Sequence, residues 1–254
     1  MMMQMIRTAQ RAAIRVALAA AAVCLFVLPS VSHAADSTIQ KWYITGTATW
    51  TSTSYYDSGT FYDTGGNGNI SVVPGGDSQL MIGCSGIKGT LNQSGGTITV
   101  NSAQWQTRIS QYTDGTYNMS GTARFVSTTK EVLFGNNGNA TWTLTDSANA
   151  SIAALNFGDG NDNMADHLLL SGAATFSATS LVGLTGPNEY ISFATRSTAT
   201  LTVAGTDQAA YTILVTNGFI RVDGVKQTDF SKFVVTGNTL KLYAAPRGTL
   251  ILFH

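Results

Sequence analysis

The sequence predicts an all-β fold, an antiparallel sandwich or packed double sheet of many short strands joined by hairpins. Turn-forming pairs such as Gly-Gly, Asp-Gly and Asn-Gly recur at the spacing of short strands. Thr, Ser, Asn and Gly dominate the polar composition, and only 11% of residues are charged. Such a composition disfavours helices and suits strands between tight turns. A recurrent strand pattern, described below, is the third observation.

The first 34 residues have the form of an export signal. Residues 1–15 contain three arginines and no acid, and an unbroken apolar run follows over residues 16–27. The segment Ser32–Ala34 then supplies the small residues of a cleavage site, which completes the pattern of a secretory signal peptide. We therefore expect the mature protein to begin at Ala35. It would work in the medium or at the cell surface, with the periplasm as an alternative.

Removal of the signal changes the set of reactive side chains. Three of the 14 basic residues and none of the 14 acids lie within it, so the mature chain carries a small excess of acid. No basic run remains, which excludes a nucleic-acid partner. Cys24 leaves with the signal, so Cys84 is the one remaining cysteine. We expect Cys84 to be a small buried side chain, and an intramolecular disulfide is excluded.

Seven aromatic residues cluster between positions 42 and 62. Neighbouring residues of a strand face opposite sides, so some of these rings are expected to be exposed. Trp and Tyr favour interfaces, and flat rings beside polar side chains can stack on sugars. The predicted partners are therefore polysaccharide or other cell-envelope components. The candidate ligand-binding residues are Trp42, Trp50, Tyr55, Tyr56 and Tyr62.

A short pattern, Gly-x-Ala-x-aromatic, recurs along the chain. Copies begin at Gly46, Gly121, Gly138 and Gly172, and Ser197 begins a weaker copy with Leu in the aromatic place. Alternation along a strand puts the Ala and the aromatic residue on one face. The spacing of the copies is irregular, whereas a solenoid has a fixed period. We therefore interpret the pattern as one strand type that is reused, not as a repeat array.

The stretch 146–166 has the weakest strand signal after the export signal. It is the best candidate for a boundary, so the β domain of residues 35–254 could consist of two subdomains divided there. Its acidic loop also places oxygen-bearing side chains at alternate positions, as Ca²⁺ sites require. An EF-hand loop would need Gly and Glu where Met164 and Leu170 stand. The candidate Ca²⁺ ligands are Asp159, Asn161, Asp162, Asn163 and Asp166.

The clearest predicted hairpin spans residues 211–222. The runs Tyr211–Thr216 and Phe219–Val222 are rich in β-branched and aromatic residues, and Asn217-Gly218 separates them. Asn-Gly between two such runs favours a type I′ turn, because both residues tolerate positive φ.

These features favour an exported, non-catalytic β protein that acts as a surface, matrix or binding module, with glycans as the candidate ligand. A secreted hydrolase is one alternative. A glycosidase needs two carboxylates about 5–10 Å apart, and no motif marks such a pair. An outer-membrane β-barrel is the other alternative, because Gly248–Phe253 is similar to the last strand of such barrels. A membrane is a partner under that alternative alone.

Overall fold

The chain forms a parallel β-solenoid, so the predicted antiparallel sandwich is wrong. Its strands pair mainly in parallel, each with the equivalent strand of the next coil, and antiparallel pairs are confined to the ends. The all-β character of the prediction is confirmed. A computed structural model describes residues 39–44, 48–51, 60–63, 69–72, 80–84, 88–100, 106–158 and 164–243, with backbone alone for those up to 72 and for 81 and 84.

Six successive coils make up the described part of the solenoid, and a short strand group precedes them. The preceding strands are β1 (Ile39–Ile44), β2 (Ala48–Thr51) and β3 (Thr60–Asp63). The first coil contains β4 (Asn69–Val72), β5 (Met81–Cys84) and β6 (Lys88–Gln93). The second contains β7 (Thr97–Val100), β8 (Thr107–Gln111) and β9 (Gly115–Met119). The third contains β10 (Arg124–Ser127), β11 (Val132–Asn136) and β12 (Ala140–Leu144).

The later coils have fewer, longer strands. The fourth contains β13 (Asn149–Phe157) and β14 (Asp166–Leu170), and the fifth contains β15 (Thr175–Val182) and β16 (Glu189–Phe193). The sixth contains β17 (Thr200–Val203), helix α1 (Gln208–Asn217) and β18 (Ile220–Val222). The chain then adds β19 (Val225–Lys226), β20 (Phe233–Thr236) and β21 (Thr239–Leu242).

Equivalent strands stack into three faces. Face 1 is formed by β4, β7, β10, the first halves of β13 and β15, and β17. Face 2 is formed by β5, β8, β11 and the second halves of β13 and β15. Face 3 is formed by β1, β6, β9, β12, β14, β16 and β18. Because β13 and β15 serve two faces each, the stretch 146–166 contributes strands to the same stack.

The coil has a period of 25 to 28 residues along face 1, and the period is 25 or 26 from Arg124 onward. Arg124 pairs with Asn149, Asn149 with Thr175, and Thr175 with Thr200. The copies of the strand pattern that begin at 121, 172 and 197 all lead into this face, whereas the copy at 138 leads into face 3. The interpretation of the pattern as a strand reused without a period is therefore wrong.

Left-handed backbone at the corner before face 1 explains the glycine of the pattern. Gly121 and Gly172 have φ of 57° and 62°, and Asp146 has φ of 56° at the equivalent position. Glycine adopts this conformation readily, and Asp is one of the few other residues that tolerate it. The Asp146 carboxylate also accepts the N–H of Gly121 at 2.9 Å, which ties two successive corners together.

The core is a set of inward columns of Ala, aliphatic and aromatic residues. Its centre is the Trp142 side chain, which is fully buried and stacks on Tyr117 with ring centroids 5.4 Å apart. Phe125 and Phe176 each meet Trp142 edge-on at 5.4 Å. Edge-to-face and offset aromatic pairs add about 0.5–1.5 kcal/mol each beyond the area they bury. Side chains from the second, third and fifth coils therefore interlock across faces 1 and 3.

The predicted hairpin over residues 211–222 is wrong in its first half, which forms helix α1. The Asp207 carboxylate caps the helix by accepting the N–H of Ala210 at 2.9 Å. Gly218 ends the helix with φ of 85°, so Asn-Gly marks a helix C-cap here and not a type I′ turn. The second half of the prediction agrees with β18. Within the part of the chain that the structure describes, no helix is long and apolar enough to cross a membrane.

Candidate functional site

The predicted aromatic site falls largely beyond the described side chains. Trp42 belongs to β1, where its backbone is in register with Leu91 of β6. Trp50 belongs to β2 and Tyr62 to β3, which pair antiparallel. Tyr55 and Tyr56 lie outside the described residues, so the aromatic site stays a prediction.

The predicted Ca²⁺ ligands are divided in the same way. Asp159, Asn161, Asp162 and Asn163 lie outside the described residues. Asp166 begins β14 and is 1% exposed. Among the residues that the structure describes, no group of three or more His, Cys, Asp or Glu side chains is placed to hold a metal ion. Ca²⁺ binding by this loop stays a prediction.

Asp166 and Glu189 form a buried acid pair inside face 3. They are register partners on β14 and β16, and they are 1% and 2% exposed. The same inward column contains only small residues in the earlier coils, namely Gly89, Gly115 and Ala140. In the first two coils the backbone packs so closely that a Cβ atom at Gly89 or Gly115 would lie 2.1 or 2.2 Å from a backbone atom, so this column admits the two acids only in the later coils.

Each acid is tied to backbone N–H groups. Asp166 accepts the N–H of Ala140 at 2.9 Å through Oδ1. Glu189 accepts the N–H groups of Thr185 and Gly186 at 2.7 and 2.8 Å through Oε2, and so fixes the loop between β15 and β16. The pKa of Asp166 is raised to about 7, chiefly by burial and to a smaller extent by the negative charge of Glu189, while the bond from Ala140 acts to lower it. The pair is a structural anchor that solvent barely reaches.

Gly135 shows how closely the Asp166 carboxylate is surrounded. A Cβ atom at this position would lie 1.8 Å from Oδ2 of Asp166, and the φ of Gly135 is 85°. Both the contact and the left-handed backbone require glycine. The carboxylate therefore packs against the backbone of face 2 and closes off the corner of the solenoid.

The outer side of face 3 carries two columns of hydroxyl and amide side chains, which we call the hydroxyl–amide surface. All six side chains are half-exposed and uncharged. The N–H₂ group of Asn118 donates to the amide oxygen of Asn92 at 2.9 Å, so successive coils are bonded along the column. The columns are Thr90, Thr116 and Thr141, and Asn92, Asn118 and Thr143.

A stacked group of three side chains continues the first column into the later coils. His167 follows Thr141 in register, and its ring stacks on Tyr190 with centroids 4.0 Å apart. The Arg221 guanidinium carbon lies 4.1 Å from the Tyr190 ring centroid, a cation–π contact. Arg221 is held by the carbonyls of Gly218 and Pro187 at 2.8 and 2.6 Å.

The environment of His167 keeps its imidazole neutral. Burial lowers the pKa of His167 below its ordinary value, and the nearby Arg221 guanidinium lowers it further, against a hydrogen bond to the Asn188 backbone. The stacked group thus places the positive charge of Arg221 beside the uncharged surface. No motif marks these three residues in the sequence, and the signal that could have found them is the spacing of 25 to 26 residues between Thr116, Thr141 and His167.

The fold and this surface define a parallel β-solenoid protein with one regular polar face. Comparison with known protein families, with characterised proteins and with solved structures gave no match.

Proposed function

We propose that the protein is an exported, non-catalytic binding module whose hydroxyl–amide surface holds a neutral polysaccharide. The observation that supports this most directly is the repetition of uncharged donors and acceptors along the outer side of face 3. Hydroxyl groups and amides both donate and accept hydrogen bonds. Successive coils repeat them about every 4.8 Å, which suits a polymer that presents hydroxyl groups at regular intervals.

The placement of the acids supports a binding role over a hydrolytic one. A glycosidase needs two carboxylates that flank a bound sugar, one of which must deliver a proton to it. Asp166 and Glu189 are buried and bonded to backbone N–H groups. The Asp114 carboxylate forms an ion pair with Lys88 at 2.6 Å at the edge of face 3. These acids therefore have structural partners already.

The sheet that bears the surface continues into β1, the neighbour of β6 in face 3. Lys41 and Tyr43 are the register partners of Thr90 and Asn92, whereas the candidate residue Trp42 is the register partner of Leu91, which is buried. A polysaccharide that follows the columns beyond Thr90 would reach this strand. Export to the cell surface or medium, as the signal predicts, would give the module access to such polymers.

Affinity electrophoresis against neutral and anionic polysaccharides tests the proposal. The double variant Asn118→Ala with Thr143→Ala removes side chains from the surface, and Ser151→Ala with Ser177→Ala makes the matched change on the outer side of face 1. Loss of two hydrogen bonds of about 1 kcal/mol each predicts binding weaker by about tenfold or more in the first variant. The control should bind as the wild type does. Failure of every polysaccharide to retard the protein, or equal loss in both variants, would refute the proposal.

A further inference from the structure

Face 2 lacks a strand in the sixth coil of the described chain. Strand β17 ends at Val203, and the chain then enters helix α1 instead of forming another face 2 strand. β17 pairs with β15 along Thr175–Ala178 alone. The second half of β15, Thr179–Val182, has β13 on one side and no described strand on the other. This half strand is an open sheet edge.

The open edge presents backbone hydrogen-bonding groups in a regular order. On face 2 the inward residues point their backbone groups to the next coil, as the carbonyl of Leu80 does when it accepts the N–H of Arg108 at 2.8 Å. Leu181 lies in the same inward column, through Val132 and Leu155, and the ladder repeats in register from coil to coil. The N–H and C=O groups of Leu181 therefore lie at the edge, and among the described residues they have no backbone partner on that side.

A groove of about 480 Å³ runs between this edge and helix α1. Its walls are mostly apolar, and none of its lining residues is charged. Ile213 on the helix wall is 60% exposed. The apolar side chains that line it include Leu181, Leu184, Val203, Ile213 and Leu214.

We propose that an extended, uncharged peptide strand of a partner protein occupies this groove by pairing with the open edge of β15. An extended strand offers N–H and C=O groups that can pair with those of Leu181, whereas a helix satisfies its own backbone groups internally. The neutral, apolar walls match a peptide without charge in this segment.

The register of face 2 indicates how such a strand would sit. Val132, Leu155 and Leu181 stack in one inward column. An apolar side chain of the peptide would continue that column over Leu181, while the next side chain would face solvent. This inference is independent of the polysaccharide surface, because the groove lies on face 2 and not on the outer side of face 3.

The test uses fluorescence anisotropy of a labelled synthetic peptide that copies Val132–Asn136, flanked by serines. This sequence already pairs with the second half of β13 on the same face. Leu181→Pro removes the N–H from the open edge and leaves the N–H groups of Ser180 and Val182 for the bonds to β13, whereas Leu181→Val retains the N–H of position 181. We expect Leu181→Pro to weaken binding by about tenfold, as loss of a backbone hydrogen bond predicts, and Leu181→Val to bind like the wild type.

Two further arms distinguish strand pairing from non-specific adhesion. Ile213→Asp puts a charge into the groove and should abolish binding, whereas Thr216→Asp, an exposed change elsewhere on the same helix, should not. Two sets of the peptide, N-methylated at odd or at even positions, lose the N–H groups of opposite edges. Only one of the two sets should bind, because only one edge of the peptide pairs with β15. Thermal melting checks that each variant folds.

Absence of saturable binding up to about 1 mM, or equal loss in Leu181→Val and Leu181→Pro, would overturn the inference. So would equal binding by both N-methylated sets. A concentration-dependent dimer that Leu181→Pro abolishes would assign the groove to a second copy of the chain, and would overturn the choice of a partner peptide.

Discussion

Replacement of Asp166 by Asn should remove a large part of the pH dependence of stability. Burial and Glu189 raise the pKa of the folded-state carboxyl from 3.8 to about 7. Between these values the unfolded chain has lost the proton and the folded chain still holds it, so stability falls as pH rises. About three pH units at about 1.4 kcal/mol each give a loss on the order of 4 kcal/mol between pH 4 and 7.

The variant isolates this effect because Asn has the same shape and keeps an oxygen that can accept the N–H of Ala140. His167 acts in the opposite sense, since its lowered pKa makes stability fall as pH drops below its ordinary value. That contribution is common to both proteins and cancels in their difference. Urea unfolding at pH values from 4 to 8 gives the free energy of unfolding of each.

The wild type should lose about 4 kcal/mol relative to Asp166→Asn between about pH 4 and 7, and the difference should be constant above about pH 8. Glu189→Gln removes the neighbouring charge that helps to raise the pKa of Asp166, so its midpoint should lie at lower pH. The difference in free energy of unfolding between the wild type and Asp166→Asn should therefore depend on pH. A difference that stays constant from pH 4 to 7, or that shifts in favour of the wild type as pH rises, would refute the burial of an acid at position 166.

Other substitutions test separate parts of the packing. Gly135→Ala should cost more than about 3 kcal/mol, because its Cβ would overlap a buried carboxylate; Gly205→Ala, with φ of 72° and nothing within 4 Å, should cost only about 1–2 kcal/mol. Tyr117→Phe should cost about 1–3 kcal/mol, because its hydroxyl donates to a buried glutamine oxygen. Trp142→Ala should cost about 3–5 kcal/mol, because the ring is fully buried among three aromatic side chains. Equal costs for the two glycine variants, or no cost for the tyrosine and tryptophan variants, in chemical denaturation would contradict this packing.

Local strand formation could be read from the sequence because it depends on side-chain alternation. In the pattern that begins at 121, Ala123 and Phe125 are both buried, as alternation predicts, and Ala174 and Phe176 repeat the arrangement two coils later. What the pattern did not give was the period. The fourth coil has Asp146 in the glycine position and Ala150 in the aromatic position. It therefore does not match the pattern, and the copies on either side of it are two periods apart.

The helix was missed because its residues favour strands. Thr212, Ile213 and Val215 are β-branched and have low helix propensity, yet Tyr211 and Val215 lie one turn apart and are buried together. The Tyr211 hydroxyl also donates to the carbonyl of Asn238 at 2.8 Å. Tertiary packing therefore overrides local preference here, as it often does for short helices.

The side-chain contacts of face 3 join residues that are distant in sequence. Asp166 was assigned to a calcium loop because its neighbours along the chain are acidic, whereas its closest structural relationship is with Glu189, 23 positions later. Likewise, His167, Tyr190 and Arg221 carry no common motif and meet only through the stacking of coils. Without the period, no sequence signal could bring them together.

Cross-linking between successive coils tests the parallel register most directly. Ser151 and Ser177 are register partners on the outer side of face 1, and Thr202 lies one coil further on. In a Cys24→Ser, Cys84→Ser background, a short linker with two thiol-alkylating groups should join cysteines at 151 and 177, because neighbouring strands lie about 4.8 Å apart. It should not join cysteines at 151 and 202, which lie about twice as far apart. Efficient cross-linking of the second pair, or none of the first, would contradict the β-solenoid.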